Sequence, residues 1–74
     1  MTPPITDDML ENWFTYHSPT TEQIPKYQAI REAGLALAAV IRDNTPTAAD
    51  QTAAIRKVRE AVMTANASIA CGGQ

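Results

Sequence analysis

Between Tyr27 and Ile69 the apolar residues return at intervals of three and four. Tyr27, Ile30, Gly34, Leu37 and Ile41 form one series, and Ile55, Val58, Val62, Ala65 and Ile69 form a second. Each series lies on one face of an α-helix, so the pattern predicts helices over about residues 21–43 and 48–70. The tract NTPTAAD between them is a turn, and two helices of similar length joined by a short turn make an antiparallel hairpin. A shorter helix is expected from about Ile5 to Phe14. Thr6 can cap it, and Asp7 and Asp8 in its first turn suit the positive end of the helix dipole. The tract HSPTT then breaks the chain, because Pro19 disfavours a helical Ser18. Pro25 falls near the first turn of the second helix, where a missing N–H is tolerated. Thr47 and Asp50 suggest a capping box at the start of the third helix. Gly72 and Gly73 are placed to end it in the left-handed conformation. The expected architecture is all-α, one domain over residues 1–74, a short N-terminal helix followed by a long helical hairpin. There is no strand signal and no internal repeat.

One stretch departs from amphipathic patterning. Residues 35–41, LALAAVI, are apolar around the whole helix circumference. A helix without a polar face must be covered on every side, and one partner helix with a ten-residue N-terminal segment cannot do that. Further copies of the chain are the expected cover.

Composition points the same way. A chain of 74 residues buries only about 60% of the surface its unfolded form exposes, so small domains add disulfides, a metal or a partner. One cysteine, Cys71, excludes an internal disulfide, and one histidine, His17, offers no metal-ligand cluster. Oligomerisation remains. Six basic against eight acidic residues give a net charge of −2, which disfavours long nucleic acid but leaves room for a small anion held by one or two arginines. The N-terminal residues MTPPITDDML have neither the basic nor the apolar region of a signal peptide, and no apolar run is long enough to span a bilayer. A soluble, cytosolic protein is expected, and an unpaired cysteine fits a reducing compartment.

Candidate chemistry is sparse. No phosphate-binding glycine loop, zinc-protease motif or CxxC occurs. A Cys71–His17 pair would join a loop to a helix end, so Cys71 reads as a small apolar residue and catalysis is not expected; no cofactor is called for. Binding is better supported. The stretch FTYHSPT gathers Phe14, Tyr16 and His17 at one interhelical corner, beside Trp13. Trp13 and Phe14 are expected to plug the open end of the hairpin. Tyr16 can stack on a nucleobase and His17 can stack or donate to a phosphate; equally, His17 can help cap the next helix. Arg31 borders the apolar face one helical turn from Tyr27, without an acid in reach on its own helix, which suits a carboxylate from another chain or a phosphate. Arg56, Lys57 and Arg59 in IRKVRE read first as a solvated face, with Arg56 able to pair with Glu60. The candidate ligand-binding set is Tyr16, His17, Tyr27, Arg31, Arg56 and Arg59.

The run FTYHSPTTEQIPKYQAIREAGLALAAVIRDNTP, followed by AIRKVREAVMTANASIA, resembles the phage anti-CBASS protein two family, small helical sponges for cyclic oligonucleotide second messengers. A related hairpin domain occurs in Thoeris anti-defence proteins. The likeness covers about residues 13–70, most specifically at YHSPT, YQAIR and AVMTANASIA. It implies a compact homohexamer acting in the host bacterial cytoplasm, with pockets between protomers for cyclic dinucleotides such as 3′,3′-cyclic GMP-AMP, bound but not cleaved. By position it implies that Tyr16 is the base-stacking aromatic and Arg31 the phosphate partner, with His17 nearer a separate cyclic trinucleotide site. Where a basic residue is expected after ANASIA, this chain has Cys71, Gly72 and Gly73, leaving Arg56 or Arg59 to compensate at that second site. The competing expectation is a helical adaptor that binds a host or phage protein through its apolar LALAAVI face.

Overall fold

A computed structural model describes residues 4–73. Three helices and no strand occur among them: α1 (Asp7–Phe14), α2 (Ile24–Asn44) and α3 (Ala49–Ala70). The Thr6 hydroxyl accepts from the Met9 N–H at 3.2 Å, closing the first turn of α1 behind Asp7 and Asp8. Ahead of α2 stands a reciprocal cap in the sequence TTEQ. The Gln23 N–H donates to Thr20 Oγ1 at 3.2 Å while the Thr20 N–H donates to Gln23 Oε1 at 3.0 Å, the two halves of a capping box. Residues 21–23 form a turn, and regular helix begins at Ile24 with Pro25 where its missing donor costs nothing.

The α2–α3 turn corrects one expectation. Thr47 and Asp50 do not cap α3: Ala48 is the capping position and no side chain bonds there. Gln51 holds the turn instead, its amide donating to the carbonyls of Arg42 at 3.1 Å and Thr45 at 3.3 Å. Beyond α3, Gly72 and Gly73 adopt φ of 67° and 81°, and their N–H groups return to Ile69 and Ser68, satisfying carbonyls the helix end leaves open.

The hairpin is antiparallel, with α2 and α3 in contact along it. A methyl group added to Gly34 would lie 2.5 Å from Val62 Cγ2, so any larger residue there requires Val62 or the helices to shift. One end is pinned by Gln51 to Arg42, the other by Gln23 to the Ile69 carbonyl at 3.4 Å. α1 is held to the open end chiefly by a polar tie, in which Asn12 Nδ2 donates to the Cys71 carbonyl at 3.0 Å.

No described residue is fully buried. The chain has a radius of gyration of 15.5 Å, against about 11 Å for a compact chain of this length. Its accessible surface is 6117 Å², whereas a folded monomer of 8.0 kDa exposes about 4,450 Å². The difference, about 1,700 Å², is the area of roughly two standard protein–protein patches. Leu35 (73% exposed), Leu37 and Val40 are among the exposed large apolar residues, all within the run that is apolar on every side.

Candidate functional site

The six candidate residues fall into two groups. Tyr16 and His17 lie in the connection between α1 and α2. Tyr16 is 83% exposed, its ring contributing little to the packing of its own chain. His17 is half-buried and its Nε2 stands 2.7 Å from the Asn12 carbonyl, so it folds back against α1 and does not cap α2. The same carbonyl faces Cys71 Sγ at 3.9 Å. The structure thus brings His17 and Cys71 to one acceptor, a structural knot at the open end of the hairpin. Trp13 is 39% exposed and lines a surface cavity of about 370 Å³ with Thr64, Ala67 and Cys71, as a plug would. Phe14 does not: it is 86% exposed.

The second group lies on the hairpin. Tyr27 is half-buried in the first turns of α2. Arg31 on α2 and Arg59 on α3 border one groove of about 280 Å³, whose walls and floor include Gly34, Leu35, Val62 and Met63. Arg59 also borders the adjoining surface with Arg56, Glu60 and Met63. On the opposite face runs a second groove of about 470 Å³, lined by small and apolar side chains such as Ala33, Leu37, Ala61 and Ala65, with Lys57 as its one cation.

Among the described residues the only ion pair is Arg42 with Asp43, at 2.9 Å on the exposed end of α2. That hydrogen bond holds the Asp43 carboxyl below its ordinary range and pushes Arg42 up. The expected Arg56–Glu60 pair is not formed. Arg31 and Arg59 likewise have no acidic partner within ion-pair distance. An unpaired guanidinium beside an apolar surface is suited to an anion whose body is flat or apolar.

A family model described as the Acb2/Tad1 hairpin domain matches residues 7–70. The chain belongs to the Acb2/Tad1 hairpin family. The match starts at the first residue of α1 and stops at the last of α3, so every helix and both candidate groups lie within it. Neither a curated protein nor a solved structure matches the chain.

Asn12 and Gln23, which hold this Acb2/Tad1 hairpin together, and Asn66, whose Oδ1 has no donor, lie outside the candidate residues named from the sequence. Asn12 ties α1 to α3 across 59 positions, and no local pattern announces a contact so distant. Gln23 was legible in principle, since T-x-x-Q before a helix is the capping-box signature. Asn66 interrupts the apolar face of α3, and its Oδ1 is buried without a hydrogen-bond donor. No group of three or more possible metal ligands occurs among the described residues, and no helix there is long and apolar enough to cross a membrane.

Proposed function

We propose that this Acb2/Tad1 hairpin protein is a non-enzymatic sponge for cyclic dinucleotide second messengers, 3′,3′-cyclic GMP-AMP and its relatives, which blocks CBASS immunity from within the host bacterial cytoplasm. The reading rests on the family and, within the chain, on one observation: Arg31 stands unpaired on an apolar groove. Arg31 takes a phosphate there. The exposed ring of Tyr16 stacks on a base. Single-chain grooves this open cannot enclose a nucleotide, and sites of 300–1,000 Å³ that bury most of a ligand need a second wall. Another copy supplies it. The surplus surface of about 1,700 Å² is enough for each chain to meet two neighbours, as a homohexamer requires. His17 is bonded to the Asn12 carbonyl, and neither it nor Tyr27 lines the Arg31 groove.

Capture and release tests this. Purified protein depletes 3′,3′-cyclic GMP-AMP from solution, and proteolysis of the protein returns the nucleotide intact. Tyr16→Ala and Arg31→Ala abolish depletion while keeping the wild-type oligomer mass. Depletion without intact recovery means hydrolysis and defeats the sponge; loss of assembly in both variants makes the residues structural.

The exposed Leu35, Leu37, Val40 and Met63 also favour a second reading, a helical adaptor for a host or phage protein. Stoichiometric capture of one partner protein, with no nucleotide retained, would select it.

A further inference from the structure

The residues lining the two grooves fall in pairs 28 positions apart, Ile30 with Val58, Ala33 with Ala61, Gly34 with Val62 and Leu37 with Ala65, the pairing that a local two-fold axis through an antiparallel hairpin would give. Such an axis relates each residue of α2 to the residue 28 positions later on α3. It carries Gly34 onto Val62, Leu35 onto Met63, and Arg31 onto Arg59, and all six border the same groove. The two arginines stand three residues to either side of the crossing in opposite directions, about 9 Å apart along the hairpin by helical rise. The opposite groove shares the axis but not the charge, since Lys57 maps onto Ala29.

We infer that Arg59 is the second phosphate-binding residue of the Arg31 groove, so that one hairpin presents a symmetric pair of guanidinium groups to a ligand with two phosphates related by a two-fold axis. This deepens the sponge reading and rests on it. A cyclic dinucleotide has that symmetry: two phosphates on opposite sides of a ring. The apolar pair Leu35 and Met63 lies between the two charges, where the ring or a base can cover it. Neither guanidinium has an acid to leave before it takes a phosphate. The placement also removes Arg59 from the role of compensating at the C-terminal end of α3. Twelve residues separate it from Cys71, about 18 Å of helix, beyond the reach of its side chain. Glu60 borders only the adjoining surface, on the far side of Arg59 from Arg31.

Calorimetric titration of the assembled protein with 3′,3′-cyclic GMP-AMP decides the matter, with native mass spectrometry confirming the assembly of each variant. Arg59→Ala weakens binding about 10- to 100-fold, the effect of losing one charge-assisted hydrogen-bonding partner. Arg59→Lys restores part of it, and Lys57→Ala, on the opposite groove, stays within about threefold of wild type. The linear dinucleotide GpA, with one phosphate, loses less than the cyclic ligand does on Arg59→Ala. Unchanged binding in Arg59→Ala beside lost binding in Arg31→Ala overturns the inference and leaves the sponge standing. Equal losses in Arg59→Ala and Lys57→Ala, or for cyclic and linear ligands, also overturn it, since they report general charge or a structural role. Should Arg59→Ala fail to assemble, Arg59→Gln, which keeps the aliphatic stem, is judged by the same comparisons. Wild-type protein that binds no cyclic dinucleotide defeats both readings.

Discussion

At the scale of residues, the informative side chains are those whose needs their own helix does not meet. Asn66 is one. Its buried Oδ1 lacks a donor, and an orphaned acceptor costs about 1–3 kcal/mol. Asn66→Leu keeps the number of side-chain heavy atoms and removes the orphan, so it should raise stability by about 1 kcal/mol, a shift of roughly 4–8 °C in a melting curve for a domain this size. A lower melting temperature would mean that the oxygen finds its donor in the assembly. The same kind of unmet need made Arg31 legible from sequence, because a cation between Ile30 and the next apolar position has few local partners. His17 was only half legible. Its chemistry was plain, but its partner, the Asn12 carbonyl, depends on how the loop folds back over α1. Phe14 was misjudged because aromatic residues usually close a core, and here the core of a single chain is not closed.

At the scale of elements, the hairpin follows from periodicity and its ends do not. Both seams were visible as runs of threes and fours, because helix geometry is local. The start of α3 was not: Thr47 and Asp50 have the residue types of a cap, but the extended Ala48 takes that position and Gln51 reaches back across the turn. Gly34 shows what sequence conceals about packing. In a seam it reads as a weak apolar residue; in the structure it is the point where two helices nearly touch. Gly34→Ala gains about 1 kcal/mol in helix propensity but drives a methyl group into Val62, whose branched side chain has little freedom to yield. Overpacking costs about 1–3 kcal/mol, so the net change should be destabilising, and Val62→Ala added to it should recover stability. Unfolding in urea measures both; a more stable single variant would show that the helices part freely.

At the scale of the whole molecule, the surplus surface governs behaviour. With no fully buried residue among those described and about 1,700 Å² more surface than a folded monomer of its mass, the single hairpin has little core of its own, and under the sponge reading its stability comes from neighbours. Its melting temperature should therefore rise with protein concentration, by mass action on assembly. A melting temperature constant over a hundredfold dilution would show instead that the single hairpin is stable alone. The exposure of Leu35, Leu37 and Val40 was legible in LALAAVI, while the total exposed area was not, because it is a property of three-dimensional shape.

Those uncovered helix faces have a consequence for timing inside a cell. When several chains must meet before any is fully folded, the amount of working protein rises as a power of the amount synthesised. Little activity is present while chains are scarce, and then it arrives steeply. Under the sponge reading, modest changes in promoter strength or translation would decide whether protection comes early enough to matter.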